Sequence, residues 1–201
     1  MVRDGTRAPR FLGLEHTVDV ADVRSIALRR LPTAVSDFIE GGGEGEITLR
    51  RNRRSLDSLT FRPRALSDAS SRNLATTFLG TPVSAPIALA PVGLAALAHP
   101  LGEQAAASAA ASAGIISTLS SSSCWSLEEV AAATPSAPKW FQLYVWRDRG
   151  LSEEVVRRAQ AAGYRALVVT VDDAATGAAL LNTLAARARA GGATRDTSGT
   201  R

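Results

Sequence analysis

The sequence predicts an α/β fold: a parallel sheet covered by helices. Three observations carry that prediction. After Pro86, short apolar runs alternate four times with helical segments. The runs are apolar on successive residues, as strands buried on both faces are. Capping signals mark where the helices between them start and stop.

The elements follow in order. Residues 1–17 read as a loose arm. Val20 to Leu31 places apolar residues at helical spacing and is stopped by Pro32. Thr33 to Glu40 reads as a second helix, ended by Gly41-Gly42-Gly43. Glu44 to Leu56 reads as a third, with its arginines outward. Phe61-Arg62-Pro63-Arg64 and a polar stretch lead to Phe78. Ile87 to Val92 is the first short strand. Pro100 to Ala113 is an Ala-rich helix with Gly114 as its C-terminal cap. Ile116 to Ser120 is the second strand. Ser126-Leu-Glu-Glu129 is a capping box opening the next helix, which ends before Pro135. Trp140 to Val145 is the third strand, and Trp140 and Trp146 are expected to pack against helices. Ser152 is expected to open a helix whose first turn holds Glu153 and Glu154, where negative charge suits the dipole. Gly163 closes it, and Ala166 to Val171 is the fourth strand. After Gly177 the composition shifts. Residues 178–190 read as a helix and 191–201 as a disordered tail, with no fifth strand.

Composition narrows the function. The chain has 201 residues, 45% hydrophobic and 21% charged, which is enough for one globular domain. No apolar run approaches the ~18 residues that would read as a membrane span. The first fifteen residues lack the apolar core of a signal peptide. A single Cys124 cannot staple the fold, so a reducing, cytoplasmic setting is expected. The net charge is +4, but the arginines are scattered among acids apart from Arg50-Arg51-Asn52-Arg53-Arg54. A nucleic-acid partner is therefore not expected. Lys139 is the only lysine.

Familiar catalytic motifs are absent. Gly41-Gly-Gly-Glu-Gly45 lacks dinucleotide-binding spacing and reads as a helix stop. One cysteine and two histidines, His16 and His99, make no zinc set. His99 before Pro100 reads as a loop or capping residue, and Cys124 has no histidine close in sequence to activate it. Glu40, Glu44 and Glu46 read as solvated. Asp172 and Asp173 stand at a strand end, where a structural cap and a functional role weigh equally.

What remains is a pattern at the strand ends. In parallel α/β sheets, sites form at the carboxyl ends of the strands. Polar groups collect there: Ser120 to Ser123, Gln142 with Tyr144, and Thr170 with Asp172. Gln142 and Tyr144 are two apart on one strand, so both project to the same face. They serve either a buried network or a site.

Several segments together resemble the FMN-dependent 2-hydroxy-acid oxidases and dehydrogenases, the family of glycolate oxidase, lactate dehydrogenase and mandelate dehydrogenase. They are Leu31-Pro32, Asp37-Phe-Ile-Glu-Gly-Gly-Gly43, Thr48-Leu-Arg-Arg-Asn52, Phe61-Arg-Pro-Arg64, Pro86-Ile-Ala-Leu-Ala-Pro91, His99-Pro-Leu-Gly-Glu103, Thr118-Leu-Ser120, Ser126-Leu-Glu-Glu129, Phe141-Gln-Leu-Tyr-Val145 and Thr170-Val-Asp172. The resemblance implies a partial (β/α)8 TIM barrel of about four βα units, preceded by N-terminal helices, over residues 1–177. Residues 178–201 form a divergent tail. It implies that the backbone at Ala90, Pro91 and Val92 faces the ring of an FMN cofactor. Ser120, Gln142 and Thr170 would hydrogen-bond the ring's polar edge, where a reduced flavin gains negative charge. Tyr144 would meet the substrate's carboxylate or carbonyl.

The departures carry their own expectations. Phe38 stands where most members have a substrate-binding tyrosine, which suggests a larger, aromatic 2-hydroxy acid. An arginine expected near Ala179 is absent. By resemblance, the family's histidine base, carboxylate-clamping arginine and phosphate-binding elements fall beyond residue 201. Two outcomes are therefore weighed. One is an oxidoreductase turning a 2-hydroxy acid into a 2-oxo acid, without a metal and with a homo-oligomer or a complementary C-terminal half as partner. The other is an inactive truncated or frame-shifted half-barrel. For this chain alone, no turnover and weak or no FMN retention are expected.

Overall fold

The computed structural model describes residues 17–66, 68 and 70–171. The arm, the tail, His16, Asp172, Asp173 and Ala179 lie outside them. The chain divides into two compact units, residues 1–49 with 182–201 and residues 50–181.

In the first unit, α1 spans Val20–Arg30. The Asp19 carboxylate accepts from the Asp22 N–H at 2.9 Å, and Arg29 and Arg30 sit in the last turn, where cations suit the dipole. Leu31 is extended, as the residue before a proline prefers to be. α2 spans Thr33–Glu40, and an Arg24–Glu40 ion pair joins it to α1. α3 spans Ile47–Asp57, so it starts at the end of the first unit and runs on into the second, and it starts three residues later than Glu44. Glu44 and Glu46 have φ of 47° and 55°, a left-handed backbone that cannot belong to a right-handed helix.

After α3, the second unit holds an antiparallel hairpin the sequence did not announce. β1, Thr76–Phe78, pairs with β2, Thr81–Val83, across Leu79 and Gly80 at φ 45° and 73°. Two positive φ values make the turn that matches strand twist, but Leu79 is not a residue that advertises one. β3 is only Ala88–Leu89. Pro86 and Pro91 bracket it and cannot donate to a ladder, so the strand is shorter than Ile87 to Val92.

A 3-10 turn, Ala95–Leu97, leads to α4, Gly102–Ser112. Then follow β4, Ile116–Ser120; α5, Leu127–Ala133; β5, Lys139–Tyr144; α6, Arg149–Ala161; and β6, Leu167–Thr170. Ser126 and Glu129 form the expected capping box at α5. α6 begins three residues before Ser152. Asp148 is its N-cap, accepting from the N–H groups of Gly150 and Leu151, while Ser152 is buried and its hydroxyl accepts from the Trp146 N–H at 3.1 Å.

The sheet order is β3-β4-β5-β6, every pair parallel. One face carries the core: Leu119, Phe141 and Leu143 pack with Ala107, Leu127, Val130, Ala131, Ala159 and Tyr164. The rings of Phe141 and Tyr164 meet edge to face at 5.8 Å, and the Tyr164 hydroxyl donates to the Leu127 carbonyl at 2.9 Å. The other face of β5 presents Trp140, Gln142 and Tyr144. The Trp140 ring meets Phe78 of the hairpin edge to face at 6.5 Å. Among the described residues, no helix is long and apolar enough to cross a membrane.

Candidate functional site

Three adjacent strands bring their polar ends together. The ladders pair Ser120 with Gln142 and Tyr144 with Thr170. Gln142 sits at the centre, only 2% exposed. Its Oε1 accepts from the Ser121 N–H at 3.1 Å, the Ser120 hydroxyl at 3.1 Å and the Ser121 hydroxyl at 3.4 Å. Its Nε2 donates to Thr170 Oγ1 at 2.8 Å.

The direction of these bonds matters. A backbone N–H only donates, so Ser121 fixes Oε1 toward β4 and the amide N–H groups toward β6. Ser120 Oγ accepts from the Ser122 N–H at 3.1 Å and gives its proton to Gln142, so it is engaged both ways. Thr170 accepts from Gln142 and keeps its own proton to donate. One Gln142 N–H is also unused among the described residues. The row is neutral and presents donors. Tyr144 stands beside it, half-buried, with its backbone N–H donating to Ser121 Oγ at 3.3 Å. Its hydroxyl has no hydrogen-bond partner among the described residues.

The loop after β3 lies against this row. Ala90 and Val92 are exposed and Pro91 half-buried. The Leu94 N–H donates to the Ser122 carbonyl at 3.0 Å. Gly93 approaches so closely that an added Cβ would lie 2.9 Å from the Ser122 Cβ, so this position admits no side chain without movement. A cavity of about 310 Å³ opens between α4 and the outer face of β3 and β4, lined by Leu89, Leu119 and Val130 among others.

Of the residues singled out from the sequence, Ser120, Gln142 and Thr170 are directly hydrogen-bonded, with Tyr144 beside them. Phe38 sits on α2 of the first unit, half-buried. His99 makes a local turn contact before α4: its Nδ1 accepts from the Leu101 N–H at 3.2 Å. Among the described residues, no cluster of His, Cys, Asp or Glu could hold a metal ion. Groups with shifted pKa values lie elsewhere. Burial pushes the Lys139 ammonium down, with Arg165 adding to it, at the opposite end of β5 from Tyr144. Two contributors carry no individual role in the sequence reading. Ser121, named there only within the Ser120–Ser123 run, binds the row through its N–H and hydroxyl, and buried Glu103, present only as part of the His99–Glu103 segment, holds two loops.

Residues 27–191 match the family model described as FMN-dependent dehydrogenase. Among curated relatives, glycolate oxidase 5 of Oryza sativa subsp. japonica is 46% identical over 154 residues, 77% of this chain and 42% of the relative. A putative L-lactate dehydrogenase of Mycobacterium tuberculosis is 42% identical over 171 residues, 85% of this chain and 41% of the relative. Among solved structures, a mandelate oxidase variant with (S)-mandelic acid superposes with a TM-score of 0.74 at 40% identity, over 78% of this chain and 46% of that one. An (S)-mandelate dehydrogenase variant superposes with a TM-score of 0.74 at 39% identity, over 78% and 44% respectively. The chain therefore spans less than half the length of the relatives it matches.

Proposed function

Because the chain belongs to the FMN-dependent dehydrogenase family, we propose that its strand ends form one wall of a site where a 2-hydroxy acid is oxidised to a 2-oxo acid. The observation that carries this reading is the direction of the hydrogen bonds at Gln142. They leave one amide N–H and the Thr170 hydroxyl as donors at the carboxyl ends of a parallel sheet.

That donor set fits the acceptor-rich edge of a flavin ring. Bound FMN supplies two-electron redox chemistry that no side chain of this wall has. Gln142 and Thr170 donate to the ring's polar edge, and Ser120 holds the Gln142 amide in the required direction. The backbone at Ala90, Pro91 and Val92 lines the ring, with Gly93 keeping that loop close to Ser122. Tyr144 offers its hydroxyl to the substrate's carboxylate or carbonyl. Phe38, in place of the family's usual tyrosine, favours an aromatic 2-hydroxy acid, a reading that rests on the resemblance alone.

A second reading has its own support. Among the described residues, the row holds donors but no base able to take the hydroxyl proton of a 2-hydroxy acid. On that ground, the wall alone does not turn over, and this reading takes FMN binding to be weak or nil. The test is to add FMN to the purified chain and follow its visible absorbance during anaerobic addition of (S)-mandelate or glycolate. A perturbed but unbleached flavin spectrum is expected. Bleaching by either acid would overturn the second reading and leave the first; an unperturbed spectrum would count against the first reading and leave the second.

A further inference from the structure

Glu103 is 5% exposed and lies in the first turn of α4, among apolar neighbours. Its Oε1 accepts from the Ala95 N–H at 3.0 Å and from the Cys124 N–H at 3.2 Å. Its Oε2 is buried without a partner. Among the described residues, no cation pairs with it.

A carboxylate in such a place is costly, because an unpartnered buried oxygen loses its hydration for nothing. What it contributes comes through Oε1. Ala95 opens the 3-10 turn at the end of the loop that follows β3, and Cys124 lies in the loop that follows β4. One oxygen therefore ties the two loops together. The tie lies close to the Leu94–Ser122 backbone bond and to the Gly93–Ser122 contact. From Ser122 the connection continues through Ser120 to the Gln142 amide.

We infer that Glu103 is a positioning residue. It clamps the loop carrying Ala90, Pro91 and Val92 onto the loop carrying Ser121 and Ser122, and so sets the spacing between the backbone wall and the donor row. The purpose of that spacing rests on the flavin reading; the clamp itself does not. Glu103 touches neither cofactor nor substrate in this assignment. It acts through Ala95 and Cys124, and the acceptor atom matters more than the charge. Gln at this position keeps an oxygen for both N–H groups, whereas Ala keeps nothing.

The test compares Glu103→Ala and Glu103→Gln with the wild-type chain by amide hydrogen exchange and by FMN titration. In Glu103→Ala, the Ala95 and Cys124 amides are expected to exchange faster by about tenfold or more, while β4 stays protected. FMN binding is expected to weaken by about tenfold. Glu103→Gln is expected to restore both towards wild type. Unchanged exchange at Ala95 and Cys124 in the alanine variant would overturn the clamp. Faster exchange with unaltered FMN affinity would overturn its role in positioning the wall. If the alanine variant also loosens β4, the glutamine variant decides: wild-type exchange upholds the clamp, and raised exchange at both amides overturns it. A wild-type chain that takes up no FMN counts against the proposed function, and the exchange measurements still decide the clamp.

Discussion

At Gln142, a single side chain satisfies two neighbouring strands and leaves donors to spare. Replacing it with leucine keeps the volume but strands the Ser120 and Ser121 donors in a buried place. Gln142→Leu is expected to lower stability by about 1–3 kcal/mol, read by urea denaturation. Tyr164 is the titrating counterpart in the core. Burial, with Glu128 adding to it, pushes its phenol up from the usual 10.0. The folded state therefore holds the proton more tightly than the unfolded chain does. This stabilisation is complete below the unfolded pKa and is lost as pH rises past it towards the folded value. Stability should fall in alkaline solution from about pH 10 upward, and Tyr164→Phe should flatten that part of the profile; an unchanged alkaline slope would contradict the assignment. The partners of Glu103 show why its place was not legible from sequence. They lie 8 and 21 residues away, on loops that come together only once the sheet has formed.

Among the elements, those with local rules match their sequence signals most closely. β4 spans Ile116–Ser120 as expected, because an apolar run between Gly114 and a serine cluster has one reading. α5 follows from its capping box, in which Ser126 and Glu129 each accept from the other's backbone N–H. Ser126→Ala should cost about 1 kcal/mol, measured by thermal or urea unfolding; no change would mean that core packing alone holds the helix. Elements set by longer-range forces were read less well. The Asp148 cap lies four residues before the Ser152 expected to open the helix, with Gly150 in the first turn, where a glycine costs little. The hairpin was missed because Leu79-Gly80 is not a familiar turn pair, yet Phe78 finds Trp140 across the sheet face. Alternation alone does not say which face of β5 carries Trp140.

At the scale of the molecule, the sheet is a portion of a barrel in which β3 and β6 each pair with one neighbour among the described strands. On β6, Leu167 and Val169 are 43% and 48% exposed, which is high for residues on the helix-covered face. Unpaired parallel edges beside exposed apolar residues favour association. The chain should show concentration-dependent assembly in sedimentation, and Val169→Lys should shift it towards monomer; a wild-type chain that stays monomeric over a wide concentration range would contradict this. The fold class was legible because four strand–helix repeats need no long-range information. The site was legible only in outline: the residues stood out as polar groups at strand ends, but the direction of each hydrogen bond depends on the register between strands. That direction is the centre of the account. It is tested most directly by quenching of FMN fluorescence on titration with the wild-type chain and with Gln142→Leu, each shown to be folded by circular dichroism. Weak binding by the wild type, reduced by about tenfold or more in the variant, is predicted. Equal quenching by the two proteins, or none by either, would contradict it.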